Sequence, residues 1–351
     1  MPQDAVREVS TQDHLIYDSK AFPMSNAAKN KQILHWGILG TGRIANTFAS
    51  DIQHVKNAKL YGVGARHLAS AETFAAKYSI EAAYGSYAAL LADPKVDAIY
   101  IATPHTLHKE QAIAAMLAGK HVLCEKPATV TLNELEQVIE VAKKEQRYFM
   151  EGMWSYFLPV LAKAQSWIKA GRIGKLIHVK ADFGYPLPYR PDLREYDNRL
   201  GGGCLLEMGI YPIAMAWLFL GQDPDQQSVW SHAADNGVED DVVILNEYHK
   251  QSASAQLATS FRCKLPNYLY LIGDEGYIAI PDYWAAKEAK LYKLETCVDH
   301  FSAPRPCSGF SYQVEHVSRE ILTGLLQPQK VTWTASRAFQ RQIAAIKAAG
   351  K

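Results

Sequence analysis

Net charge is almost absent from this chain: 37 basic residues stand against 36 acidic ones, a formal +1. Nothing therefore steers it toward nucleic acid or an anionic lipid surface. Long apolar runs are missing as well, since no stretch reaches the roughly 18 uninterrupted apolar residues of a membrane span. Cysteine is scarce. The five present (Cys124, Cys204, Cys263, Cys297, Cys307) include no C-x-x-C pair, and their odd number speaks against a disulfide framework. Cys124 and Cys204 read as small core residues in a reducing cytosol. The twelve histidines form no H-E-x-x-H and no Cys/His cluster with ligand spacing, so no metal site is expected. Residues 1–32 lack the basic and apolar blocks of a secretory signal and contain no twin arginine. They are expected to form a flexible extension, with Met24 as an alternative start, in a cytoplasmic protein.

What is present is an apolar fraction of 48% in 351 residues, enough for two domains around sizeable cores. The run Ile33–Leu39 has strand length and leads directly into Gly40-Thr41-Gly42-Arg43-Ile44-Ala45, after which a helical pattern continues to about His54. This is G-x-G-x-x-A in the context that a dinucleotide-binding turn requires. Gly40 permits the tight turn, Gly42 lets the backbone approach a pyrophosphate, and Ala45 allows close helix–strand packing. The helix start offers unpaired N–H groups to the phosphates. The second strand, Ala58–Ala65, ends without the acidic residue that holds a ribose 2′-hydroxyl. Arg66 stands there instead and is suited to a 2′-phosphate, which predicts NADP(H) over NAD(H).

Helices are expected at 70–78, 87–92, 111–118 and 131–144, and strands at 98–102, 120–124 and 148–150. The strand at 98–102 ends in Thr103-Pro104-His105, followed by His108. These four are candidates to contact cofactor or substrate, the two histidines equally readable as packing residues. Glu125-Lys126-Pro127 ends the next strand at the same edge of the sheet. Later, Gly201-Gly202-Gly203 introduces Glu207 and Tyr211, which share one face if the segment is helical. A lysine, a carboxylate and a tyrosine can together run a proton relay between an alcohol and a carbonyl.

These motifs, in this order, resemble the glucose–fructose oxidoreductase/inositol dehydrogenase (Gfo/Idh/MocA) family from about residue 33 to the C-terminus. Further pointers are Glu151-Gly152-Met153-Trp154, Arg194-x6-Gly201-Gly202-Gly203, Gly209-Ile210-Tyr211, Val238-Glu239-Asp240-Asp241 and Leu265-Pro266-Asn267. They are most similar to the NADP-dependent branch that oxidises dihydrodiols and D-xylose. The resemblance implies an α/β fold: a Rossmann domain with a doubly wound parallel sheet, then an α+β domain with a large, mostly antiparallel sheet. The expected bounds are 33–152 and 153–333, with a C-terminal helix at 334–351 packing back on the first domain. β-like runs at 176–183, 241–248, 253–262, 268–272 and 277–280 fit such a sheet, and its open face implies a homodimer or higher homo-oligomer.

The resemblance also implies Lys126 as the catalytic lysine, with a cis bond to Pro127, and Tyr211 as acid/base. It carries Lys126 and Glu125 into cofactor contact and makes Trp154, Tyr185, Arg194 and Tyr211 candidates for substrate contact; Tyr189 and Arg190 lie in the same loop. A tyrosine at its ordinary pKa of about 10 is a poor base at neutral pH, and a nearby Lys126 ammonium is expected to lower it. Two positions depart from the family pattern: Glu207 stands where relatives carry aspartate, and Tyr156 where they often carry arginine. The expected activity is hydride transfer between NADP(H) and a CH–OH or carbonyl group of a sugar, polyol or cyclic trans-diol, with no metal. An NAD-dependent glycosidase that retains its cofactor and a non-catalytic NADP sensor are the alternatives.

Overall fold

The computed structural model describes residues 32–350. The rest of the expected N-terminal extension and the Met24 start lie outside the described residues. The first half alternates strand and helix: β1 (Leu34–Leu39), α1 (Arg43–Asp51), β2 (Ala58–Gly64), α2 (Leu68–Tyr78), β3 (Ala82–Tyr84), α3 (Tyr87–Leu91), β4 (Ala98–Ile101), α4 (His108–Leu117), β5 (His121–Glu125), α5 (Leu132–Lys144) and β6 (Phe149–Gly152). Strands buried on both faces read as near-continuous apolar runs, and these pair in parallel in the order β3-β2-β1-β4-β5-β6. The order reverses between β1 and β4, so the loops following them open side by side at the carboxyl edge.

Two local expectations differ. Helix α4 begins at His108 rather than Gln111, after a 3-10 turn at His105–Leu107. Strand β3 is three residues long and carries no alternation by which to find it.

The second half opens with α6 (Pro159–Lys169) and β7 (Leu176–Gly184), then α7 (Ile210–Leu220). β8 (Gln226–Ala233), β9 (Glu239–Tyr248), β10 (Ala253–Ser260), β11 (Tyr268–Gly273), β12 (Tyr277–Pro281), β13 (Glu288–Lys293) and β14 (Thr296–Ser302) follow, then α8 (Phe310–Leu322) and α9 (Trp333–Ala349). Strand order is β14-β13-β12-β11-β7-β10-β9-β8, with β7 and β10 the parallel pair in an otherwise antiparallel sheet. Strands β8, β13 and β14 are polar and sit at or near the sheet's edges, so they lack the apolar pattern that marks β9–β12.

One face of this sheet packs on α7. The other exposes Trp230, Val243 and Leu245. The helical stretch Asn198–Leu220, apolar and long enough to cross a membrane, is mostly buried and serves as a core helix. Helix α9 touches both halves: Trp333 Nε1 donates to Phe149 O at 2.9 Å, Arg337 pairs with Glu136, and Arg341 pairs with Asp223.

Candidate active site

The dinucleotide turn comes first. Gly40 has a φ of +100°, and a Cβ there would meet Ala102 O at 3.1 Å. Only glycine suits this close approach of the β1 and β4 ends. Its N–H donates to Gly64 O at 2.9 Å. Gly42 is exposed, caps α1 without a side-chain bond, and has no atom within 4 Å of where its Cβ would lie. The first N–H groups of α1 therefore face open space, a cradle that fits a pyrophosphate. Arg66 is exposed at the end of β2 and makes no ion pair among the described residues. Between Thr41 and α2 lies a cavity of about 500 Å³ that Asn46, Ser70, Thr73 and Lys77 also line.

The loop after β4 divides the expected cofactor residues. Thr103 and Pro104 are half-buried at the edge, the Thr103 hydroxyl donating to Gln111 Oε1 at 2.6 Å. His108 is fully buried, in keeping with the packing alternative, and its two ring nitrogens lie 2.9 Å from Pro127 O and 2.8 Å from Thr103 O. It ties the β4 and β5 loops together. His105 is also buried, with Nε2 3.6 Å from Glu207 Oε1 and no partner for Nδ1. Burial pulls its pKa down to about 3, so the ring is neutral at physiological pH.

The Lys126–Pro127 bond is cis. The Lys126 ammonium donates to the backbone carbonyl of Glu207 at 2.7 Å and sits 5.2 Å from the Tyr211 ring centroid. That carbonyl belongs to a π-helical turn, Leu205–Gly209, ahead of α7. In the i→i+5 register of such a turn its donor would be residue 212, a proline without an N–H, which leaves the oxygen for lysine. The Glu125 carboxyl is buried and accepts from the Tyr100 hydroxyl and from Lys126 N–H. Burial raises its pKa and that of Glu151, whose carboxyl accepts from Ala128 N–H at 2.8 Å.

Glu207 behaves differently. Its carboxylate takes a 2.5 Å bond from Arg194 Nη1. Burial alone would push its pKa up, but surrounding positive charge pulls it down to about 2. His105, which is protonated only at that low pH, contributes most to the lowering, followed by Lys126 and Arg194, the two cations that remain beside the carboxylate at neutral pH. The contact between Lys126 and Glu207 thus runs through the backbone, and the carboxylate belongs to arginine.

Tyr211 is 6% exposed, and its hydroxyl accepts from Trp154 Nε1 at 3.0 Å. The expected lowering of its pKa by Lys126 is not found. Burial raises it, with Glu125 and Glu207 adding to the rise, so the phenol stays protonated at neutral pH.

An aromatic wall surrounds this hydroxyl. Trp154 stacks on Phe310 (4.8 Å), Phe183 stacks on Trp284 (4.0 Å) and meets Tyr211 edge-on (5.4 Å), and Tyr185 closes against Trp284 (6.1 Å). Phe183, Trp284 and Phe310 were absent from the sequence reading. Phe183 carried a signal as the last aromatic before the Pro-rich loop; Trp284 and Phe310 lie far along the chain, with none. Beside Trp154 and Phe310 opens a cavity of about 550 Å³, lined also by Thr47, Asp51, Lys287 and Arg305.

The remaining loop candidates are engaged elsewhere. Arg190 pairs with Asp192 at the surface, Tyr189 meets Tyr196 edge-on, and Tyr156 is buried with its hydroxyl on Ala214 O. Among the described residues no three His, Cys, Asp or Glu side chains group as metal ligands.

A switch-point glycine turn beside a lysine–tyrosine pair defines an oxidoreductase that uses a nicotinamide dinucleotide. Comparison with known proteins agrees. The profile of the oxidoreductase family with NAD-binding Rossmann fold, GFO_IDH_MocA, matches residues 34–153, and that of the GFO/IDH/MocA C-terminal domain matches residues 161–279. The chain belongs to the Gfo/Idh/MocA family of NAD(P)-binding oxidoreductases. It is 32% identical to trans-1,2-dihydrobenzene-1,2-diol dehydrogenase of Danio rerio, over 85% of this chain and 91% of that protein. It is likewise 32% identical to the Homo sapiens enzyme of the same name, over 81% and 87%.

Among solved structures, aldose-aldose oxidoreductase from Caulobacter crescentus, complexed with glycerol, is similar with a TM-score of 0.83 and 26% identity. It covers 91% of this chain and 97% of its own. The 3-ketoreductase KijD10 from Actinomadura kijaniata, in complex with NADP and TDP-benzene, has a TM-score of 0.80 and 25% identity, covering 90% and 98%.

Proposed function

We propose that the protein is an NADP-dependent dehydrogenase/reductase that interconverts a carbinol and a carbonyl on an aldose, a polyol or a cyclic trans-diol. The observation that carries this reading is the Lys126 ammonium 5.2 Å from the centroid of the Tyr211 ring, with the phenol set inside the aromatic wall. Nicotinamide, when bound, supplies or accepts the hydride. Gly40, Thr41, Gly42 and the first turn of α1 hold the pyrophosphate. Lys126 donates to the reacting substrate oxygen and offsets the negative charge that develops there. Tyr211, protonated at neutral pH, delivers its proton to that oxygen when a carbonyl is reduced, and receives it back when the alcohol is oxidised. Trp154 holds the phenol in place through its indole N–H.

The wall of Trp154, Phe183, Tyr185 and Trp284 favours a substrate ring with an apolar face. The activities named for the two dihydrodiol dehydrogenases and for the aldose-aldose oxidoreductase support the same substrate class. Arg66, exposed and without a carboxylate beside it, supports NADP(H) over NAD(H). Five free thiols suit a reducing, cytoplasmic compartment. The exposed Trp230, Val243 and Leu245 on the outer face of the second sheet suit a homodimer formed by pairing those faces.

Aldoses and trans-1,2-diols are screened by NADPH absorbance. On the best substrate, Lys126→Ala and Tyr211→Phe should each lower kcat by roughly 10²–10⁴ while NADPH binding persists. Wild-type turnover in both variants would refute the assignment.

A further inference from the structure

Two cations stand within reach of one ionised carboxylate. Glu207 offers its backbone oxygen to Lys126 at 2.7 Å and its carboxylate to Arg194 at 2.5 Å, all from a single residue. Arg194 reaches it because the turn carrying it is clasped to the glycine segment: Gly202 N–H donates to Asp197 O at 3.0 Å and Gly203 N–H to Glu195 O at 2.8 Å. A Cβ on Gly202 would stand 2.7 Å from Glu195 O, so the clasp needs glycine there.

The carboxyls that face Lys126 are not equivalent. Burial favours the protonated form of Glu125 on β5 and of Glu151 on β6, whereas Glu207 is held firmly ionised. The other titratable groups facing the pair, His105 and Tyr211, are neutral at physiological pH. Glu125 is held by the Tyr100 hydroxyl and Lys126 N–H and Glu151 by Ala128 N–H, whereas the Glu207 residue already meets the lysine through its backbone oxygen. A carboxylate left without Arg194 would turn to the ammonium, whose charge-assisted bond is the strongest remaining. An ammonium has three N–H donors. The Glu207 carbonyl takes one, and a carboxylate on the others would compete with substrate.

We propose that Arg194 is a positioning residue: by holding the Glu207 carboxylate it keeps that carboxylate from pairing directly with the Lys126 ammonium, whose N–H groups stay free to donate to the reacting oxygen. The inference rests on the role of Lys126 proposed above. Arginine suits the task because its guanidinium stays charged at every working pH and its planar fork fixes the carboxylate's direction. It also reaches Glu195 at 3.3 Å, which keeps it beside Glu207 rather than over the lysine.

The test is steady-state kinetics on the substrate used for Lys126→Ala, with NADPH binding followed by fluorescence. Arg194→Ala should lower kcat by about 10–100-fold with NADPH affinity unchanged, since the freed Glu207 pairs with Lys126. In Arg194→Ala/Glu207→Gln the neutral amide cannot pair, and at least tenfold of the loss should return; Arg194→Lys should stay within a few-fold of wild type. A purely structural role for Arg194 predicts no rescue by the second change. A double variant as slow as the single one, or Arg194→Ala at wild-type kcat, overturns the proposal. Should Arg194→Ala lose cofactor binding, Arg194→Gln with and without Glu207→Gln gives the same comparison. If Lys126→Ala is inactive and rescue fails, the inference alone falls; if Lys126→Ala is fully active, the proposed function falls with it.

Discussion

Asp51 closes α1 and is 1% exposed, yet its carboxylate serves a helix 257 residues or more away: it accepts from Ser308 N–H (3.1 Å), Gly309 N–H (2.7 Å) and Phe310 N–H (2.8 Å). Phe310 N–H is the first of α8 and the other two lead into it, at an end whose own N-cap residue, Gly309, has no side chain to offer. Asp51 thus caps a helix of the second half from the first half and adds a negative charge at the positive end of its dipole. Asp51→Ala removes the cap, worth about 1 kcal/mol. It also strands the buried N–H groups of Gly309 and Phe310, each costing about 1–3 kcal/mol where water cannot reach. A loss of roughly 3–7 kcal/mol follows, with Asp51→Asn near half of that because one carbonyl oxygen remains. Urea unfolding followed by circular dichroism and by tryptophan fluorescence reads the loss directly. Because Phe310 stacks on Trp154 at 4.8 Å, KM for substrate should rise more than kcat falls. A midpoint for Asp51→Ala within experimental error of wild type would refute the capping account.

Acid should destabilise the protein in two windows. His105 and Glu207 both have folded pKa values below their ordinary 6.5 and 4.5, at about 3 and about 2, so the unfolded chain binds protons first in each case. The stability each lends is complete above its ordinary value and is lost as pH falls toward the folded one. His105→Gln should flatten the loss that begins near pH 6.5, and Glu207→Gln the loss below about pH 4.5, both read from urea midpoints against pH. Arg66→Ala should raise KM for NADP about 10–100-fold and leave KM for NAD unchanged; an equal change for both cofactors would remove Arg66 from the 2′-phosphate. Val243→Asp, placed on the exposed sheet face, should convert a sedimenting dimer to monomer, and an unchanged sedimentation coefficient would exclude that face.

The nucleotide-binding half was legible because its signals are local. A strand, a glycine turn and a helix within 20 residues are set by backbone sterics and by an apolar run that any solvent would bury. Strands β9 to β12 announced themselves in the same way through their apolar alternation. Helix α8 did not, since its cap is Asp51 from another part of the chain. The edge strands β8 and β14, and β13 next to one edge, did not either, because strands at the margin of the sheet can remain polar.

Within the site, residue type and neighbours single out Lys126 and Tyr211 in the sequence, a lysine before proline at a strand end and a tyrosine after a glycine-rich turn, and the fold brings the two side chains together. The sequence could not tell that burial would hold the Tyr211 phenol protonated instead of letting Lys126 lower its pKa. Nor could it assign the Glu207 carboxylate to Arg194 while lysine takes the backbone oxygen of the same residue. Those outcomes depend on desolvation and on distances of a few ångström between segments far apart in the chain. Periodicity and spacing carry no information about either, and only the packing of the two halves against each other decides them.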